Sequence, residues 1–321
     1  MKKDSRPLIL GASIEKAGIG GVTIHLQRLM QWLNHKNYSF VFCDYKTLSI
    51  CKQLLMILHH KVVHLHISRS FPRFIYIVYS RIVKTRTILT YHGNIGRFSA
   101  FNNLIDQLSI RLCSVPILIN EKSFKQAREW NINSIYMSAF IPPLDEGTLP
   151  DYVSTAIQSA KKSGKTVIAS NASAMSYTHS GEEIYGIDFC INYFKNRPDY
   201  LFCISDPSGN YYDKYKNQLI SNVIFITESH SFYKVIKLVD IVLRYTATDG
   251  DALSVKEGLY LRKKVIATDC VDRPKGVILC HYNDEDSLTI ALTTEIQYNI
   301  ELSEDDVTDG LIEIYNSLNN N

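Results

Sequence analysis

Short apolar runs alternate with stretches of helical spacing from one end of the chain to the other. Runs at 8–10, 39–43, 62–67, 87–91, 117–119 and 135–137 are rich in β-branched residues and read as strands. Between them, apolar positions recur every three or four residues, as at Val22, Leu26, Leu29, Met30 and Leu33, which predicts helices. The alternation breaks at 141–147, IPPLDEG, whose prolines, acids and glycine read as an interdomain linker. A second series follows, with strands at 166–169, 201–204, 223–226, 240–243, 265–268 and 277–279. Nearly continuous apolar strands separated by helices predict parallel sheets covered on both faces. The expected class is therefore α/β, with two Rossmann-like domains at 1–143 and 144–302. A terminal helix within 303–321 is expected to pack back toward the first domain. Such sheets bind ligands at the carboxyl ends of their strands, so the two are expected to face a central cleft.

Composition changes this picture little: 45% apolar and 21% charged residues are ordinary for a globular chain of 321 residues. A formal charge of +3 is too small to argue for nucleic acid. The charge is uneven, however. Between Arg69 and Arg86 stand Arg73, Arg81 and Lys84 and no acid, interleaved with Phe71, Phe74, Tyr76 and Tyr79. Arg69, Arg73, Phe74, Arg81 and Lys84 would suit contact with an anionic membrane or with an acceptor. A basic helix snorkelling on an ordinary surface is the equal alternative. Seven cysteines without a C-x-x-C pair read as reduced, buried thiols. The opening MKKDSRPLIL has too short an apolar run for a secretory signal, and the best apolar window, 74–83, is too short to span a bilayer. The expectation is a cytoplasmic protein, partly associated with the inner membrane face.

Several segments carry candidate chemistry. Gly18, Gly20 and Gly21 precede a helix, but their spacing is not that of a dinucleotide-binding fingerprint, which argues against Asp44 as a ribose ligand. His59, His60, His64 and His66 lack a local carboxylate or cysteine and read as partly buried histidines rather than metal ligands. In Thr90-Tyr91-His92-Gly93 an imidazole ends a strand, where it could hydrogen-bond a sugar or phosphate, move a proton, or simply be a satisfied loop histidine. The most informative stretch is LRYTATDGDALSVKEGL, residues 243–259: a strand, a polar turn and a helix N-terminus, the last a natural anion site. Within it Asp249 either anchors the turn or contacts substrate, Asp251 is placed as an N-cap, and Arg244 leaves the strand end toward a possible phosphate. Glu257, eight positions after Asp249, lies on the helix, as a hydroxyl-binding acid or on a solvated face.

These segments resemble a glycosyltransferase of the GT-B fold, similar to family 4 of the retaining enzymes and to a bacterial surface-polysaccharide branch of it. The resemblance runs through GIGGVTIHLQRL, VVHLHISRS, ILTYHG, PILINEKSFKQA and TDGDALSVKEGLYLRKKVIATD, followed by Asp272-Arg273-Pro274-Lys275-Gly276. It implies transfer of a sugar from a nucleotide-sugar donor to a growing, lipid-linked surface glycan such as capsule or O-antigen, with retained configuration. Glu257 would bind the ribose and Asp249 face the donor sugar. Asp251, Ala252, Leu253 and Ser254 would cradle the diphosphate, with Ser170 alongside. Gly20 and Gly21 would approach from the other domain, and His92 would touch the transferred sugar. No bound metal or other cofactor is implied. One departure stands out. The Arg and the Lys that such enzymes carry after the first strand of the second domain are missing, and Tyr185 occupies the place of the Lys. Arg244, Lys256 or the helix N-terminus would have to substitute. A nucleotide-sugar epimerase of the same architecture and a non-catalytic partner subunit are the alternatives.

Overall fold

The computed structural model describes residues 2–13, 21–218, 220–250, 252–295 and 307–320. The chain divides into two compact units, residues 1–144 with 304–321, and residues 145–303.

Unit 1 holds a six-stranded sheet of order β2-β1-β3-β4-β5-β6, every pair parallel. Its strands are β1 (Leu8–Gly11), β2 (Val41–Asp44), β3 (Val62–Leu65), β4 (Arg86–Tyr91), β5 (Val115–Leu118) and β6 (Ile135–Tyr136). Because side chains alternate across a strand, each strand feeds two cores. Leu8, Leu10, Val63, Leu65 and Leu89 face one cluster, and Ile9, Val62 and Ile88 face the other. The terminal Val307–Asn320 helix inserts Leu311 and Tyr315 into the second cluster, and Tyr315 is fully buried.

Unit 2 repeats the plan with a second parallel sheet, order β12-β11-β10-β7-β8-β9. Its strands are β7 (Thr166–Asn171), β8 (Tyr200–Ser205), β9 (Val223–Ile226), β10 (Ile241–Arg244), β11 (Lys264–Thr268) and β12 (Ile278–Cys280). Ile168, Phe202, Ile204, Leu243 and Ile266 line one face, and Val167, Ala169, Cys203, Val242 and Val265 the other. In both sheets the strand order reverses beside the first strand, between β1 and β3 in unit 1 and between β7 and β10 in unit 2. Those reversals are where a doubly wound sheet opens a crevice at its carboxyl edge.

Two expectations about burial are corrected here. Arg73 is no surface contact: it is 1% exposed, ion-paired with Asp106, bonded to the Ile67 carbonyl at 3.1 Å and set over the Tyr91 ring. Its position on the inward face of the Ser70–Ile82 helix, one turn from Ile77, explains this. Phe74 is half-buried and Tyr76 is buried. The thiols are not uniformly buried either, since Cys51 is exposed in the first turn of its helix and Cys270 is intermediate.

Candidate functional site

The crevice edge of unit 2 is built by three strand ends. β7 ends at Asn171, β10 at Arg244 and β11 at Thr268. Arg244 makes a two-pronged bond to Asp249, Nε to Oδ2 at 3.0 Å and Nη2 to Oδ1 at 2.8 Å. Arg273 Nη1 donates to the same Oδ2 at 2.8 Å while its Nε donates to the Thr268 carbonyl at 3.0 Å. Asp249 is thus held by two guanidiniums, and it also accepts from the Gly250 N–H at 2.9 Å, so it anchors the turn. Its side chain is 6% exposed, against 3% for Arg273 and 12% for Arg244. Burial by itself pushes the Asp249 carboxyl up, but the bonds and charges of Arg244 and Arg273 outweigh it and hold the group below the ordinary carboxylate range. With two cations and one anion, the cluster carries a net positive charge.

Arg244 is the more open of the two cations. Its Nη1 reaches only long bonds to Asn171, 3.3 Å to O and 3.4 Å to Oδ1, and its plane lies 5.2 Å from the Tyr185 ring. Tyr185, standing where a Lys was expected, therefore positions a guanidinium instead of supplying a charge. In the sequence Arg273 stands out only as part of the 272–276 motif. Its role depends on the loop after β11 folding back to β10, which no local spacing reveals.

The Leu253–Tyr260 helix starts beside this cluster. Its N-cap is Ala252, and no side chain among the described residues caps it. Asp251, like Gly18 and Gly20, lies outside the described residues. Leu253 and Ser254 head the helix, so their N–H groups are among those an α-helix leaves without intrahelical partners. Glu257 does not lie on a solvated face: it is 4% exposed, and Ser254, three residues earlier on the same side, is buried as well. Close helix–sheet packing accounts for this. A Cβ on Gly258 would meet Val265 Cγ2 at 2.7 Å. Ser170 is buried one residue before the β7 end, and Lys256 is half-buried.

The other helix N-terminus at this edge is already occupied. Glu183 accepts bonds from the N–H groups of Ile187 and Asp188, both at 3.0 Å, and from Tyr211 Oη at 2.6 Å. Gly186, the N-cap at φ 54°, allows this turn; a Cβ there would meet Tyr245 Cδ1 at 2.7 Å. Burial raises the Glu183 pKa despite these bonds. An anion near β7 would therefore have to compete with the protein's own carboxylate.

In unit 1 the crevice edge gathers histidines. His66 follows β3, His92 follows β4, and His25 lies on the Gly21–His35 helix that Gly21 opens. His66 Nδ1 and His92 Nε2 share a hydrogen bond of 3.0 Å, and His25 Nδ1 bonds the Ala139 carbonyl at 2.7 Å. His64 is fully buried between Tyr315 Oη at 2.7 Å and Thr90 Oγ1 at 2.8 Å. Burial, and secondarily His25, hold His64 down to about 3; burial and the neighbouring imidazoles hold His66 and His92 well below the usual histidine range. All three rings are neutral near pH 7.

No family model and no curated protein matches this chain. Solved structures do match over nearly its whole length. A glycosyltransferase from Rickettsia africae aligns at 11% identity and TM-score 0.68, covering 98% of both chains. Alr3699/HepE of Anabaena, solved in complex with UDP, aligns at 13% and 0.66, covering 98% of this chain and 97% of its own. The catalytic domain of starch synthase IV from Arabidopsis thaliana, bound to ADP and acarbose, aligns at 10% and 0.61, covering 98% and 99%. With the two parallel sheets, these likenesses establish the fold as GT-B.

Proposed function

We propose that this chain is a glycosyltransferase that binds a nucleoside-diphosphate sugar at the crevice edge of unit 2. The carrying observation is the Arg244–Asp249–Arg273 cluster, net positive and buried, next to a helix N-terminus at the reversal of strand order. A diphosphate leaving group needs preorganised positive charge and N–H donors, and both are there without the missing Arg and Lys. In this reading Arg244 meets the diphosphate with the N–H groups of Leu253 and Ser254. Glu257, a buried acid on the same helix, accepts from the ribose hydroxyls. Asp249 serves by orienting Arg244 rather than by touching sugar. Because Asp249 is committed to two guanidiniums, donor binding should need no metal. The structures solved with UDP and with ADP support the choice of a nucleotide ligand.

The acceptor side of the proposal rests on unit 1. No helix among the described residues is long and apolar enough to cross a membrane. Instead, Phe71, Ile75 and Ile82 are exposed on the Ser70–Ile82 helix, and Phe101, Leu104 and Leu108 on the adjoining Ala100–Leu112 helix. At 3.6 residues per turn each trio spans a narrow arc, giving two apolar stripes on packed neighbours. Arg69, Arg81, Lys84, Arg97 and Arg111 are exposed around them. Such a face suits the inner surface of an anionic membrane and hence a lipid-linked surface-glycan acceptor. Retention of configuration and membership of family 4 are part of the same proposal.

A thermal-shift series with UDP-, GDP-, ADP- and TDP-sugars tests the donor reading, because a ligand that binds only the folded state raises apparent stability. One nucleotide should raise Tm in the parent protein and lose about 1.5–3 kcal/mol of binding in Glu257→Ala. No shift with any nucleotide would refute the proposal. Binding without transfer or donor hydrolysis would favour a non-catalytic subunit, the reading kept open by Glu183 filling the helix N-terminus after β7.

A further inference from the structure

We propose that His25, His66 and His92 form a binding site in unit 1 for a divalent transition-metal ion that favours imidazole, such as zinc, nickel or cobalt. One ring nitrogen from each lies within 4.8 Å of the other two. Three nitrogens around an ion at zinc–nitrogen distances of about 2.0–2.1 Å stand about 3.3 Å apart in a tetrahedron. The His66–His92 pair, at 3.0 Å, is already that close. Drawing His25 in requires a shift on the scale of a ring rotation about the broad terminal side-chain torsion.

The protonation pattern suits metal capture. The His66 Nδ1 to His92 Nε2 bond holds one proton between two nitrogens; both can ligate once that proton passes to the far nitrogen of its own ring, which leaves each ring a neutral imidazole. Donation from His25 Nδ1 to the Ala139 carbonyl leaves the lone pair of the neutral ring on Nε2. That is the orienting bond that metal-bound histidines typically make to a carbonyl or carboxylate. Burial keeps His66 and His92 neutral, the state in which imidazole ligates. His64 is excluded as a ligand because both its nitrogens are engaged; it packs 4.1 Å from His66 as a wall. An all-nitrogen set discriminates against magnesium and calcium, which take oxygen ligands. His92 is only half-buried, so a fourth position toward solvent would stay open to water or to an anion.

The full chain, stripped with a chelator and desalted, should be titrated with zinc by calorimetry and with cobalt by visible absorption. The parent is expected to bind one equivalent, to rise in Tm on zinc addition, and to show the intense bands of four-coordinate cobalt. His92→Gln and His25→Gln should each weaken binding by more than about 100-fold, beyond what loss of an outer-shell partner costs. His281→Gln, at an exposed histidine paired with Asp269, should bind like the parent. If His25→Gln fails to fold, the half-buried His92→Gln decides. No binding by the parent, or full binding by a folded His92→Gln variant, would overturn the site. Neither outcome bears on donor binding in unit 2, since no nucleotide enters the measurement.

Discussion

The two units share a topology and differ in the chemistry at the same place. Each sheet is parallel and six-stranded, and each reverses its strand order beside its first strand. At that reversal unit 1 gathers neutral imidazoles, whereas unit 2 gathers two guanidiniums and a carboxylate. Topology therefore decides where a ligand can sit, and the side chains at the strand ends decide which one. A buried cluster with a net positive charge attracts anions, while a neutral nitrogen cluster has lone pairs to offer. The surfaces differ as well. Among the described residues of unit 1, six exposed large apolar side chains lie on two packed helices. The exposed Tyr152, Tyr177, Tyr212, Tyr260, Leu279 and Ile290 of unit 2 come from separate elements.

The contrast is broken most directly at Asp249. Asp249→Ala leaves two guanidiniums facing each other in a buried place, and losing one partner of such a group costs about 3–5 kcal/mol. Urea unfolding of unit 2 should show a loss of that size. A change below about 1 kcal/mol, the range of exposed pairs, would mean the cluster is solvated and its charge is not focused.

Arg244→Ala tests what the charge does. If Arg244 stabilises the leaving diphosphate as a preorganised donor, turnover should fall by a factor of roughly 10²–10³, with a smaller effect from Lys256→Ala. The variant must first be shown to fold, since Arg244 also holds Asp249. Normal turnover in a folded Arg244→Ala protein would move the role to another cation.

The neutral cluster of unit 1 makes an opposite prediction about acid. His64 and His66 have folded pKa values below the unfolded value of about 6.5, so the unfolded state binds protons that the folded state refuses. Stability should therefore fall as pH drops below about 6.5, and keep falling until the folded values are reached. Two such groups remove roughly 2–3 kcal/mol between about pH 6 and pH 5. Asp249, with its depressed pKa, adds a loss in unit 2 only below about pH 4. Equal acid sensitivity of a His64→Gln variant would show that this histidine does not carry the effect.

The smallest effect concerns the membrane face. Each basic residue near an anionic surface contributes about 1 kcal/mol, screened by salt. Sedimentation with anionic vesicles should weaken with salt and weaken again in an Arg81→Glu, Lys84→Glu protein. An Arg73→Glu change is no test of binding, because Arg73 is buried. Phe71→Ser with Ile82→Ser should reduce binding at any salt. Equal binding to neutral vesicles would reject the electrostatic part.

Much of this was legible in the sequence because the governing physics is local. Periodicity reveals strands and helices, and a strand such as 62–67 appears as β3 because its alternating residues fill both cores. The strand end and the helix start expected within 243–259 are there, as β10 and the Leu253–Tyr260 helix. What local spacing could not show were partners distant in the chain. Arg273 meets Asp249 across 24 positions, and His25 joins His66 and His92 from a different element. The same limit explains Arg73. Alternating bases and aromatics look alike on a surface helix and on one that turns Arg73 inward to Asp106, 33 residues on.

By itself, then, the sequence determined the element order, the two parallel sheets and the strand ends at which ligands can bind, because these follow from apolar periodicity and chain connectivity. Only the tertiary structure decided the electrostatic state of those ends. Whether Asp249 is a free acid or the anchor of two arginines, and whether a histidine is a surface group or part of a buried nitrogen cluster, depends on which side chains the folded sheets bring within hydrogen-bonding distance. Those encounters join residues far apart in the chain, and burial then sets their charge through desolvation and pairing.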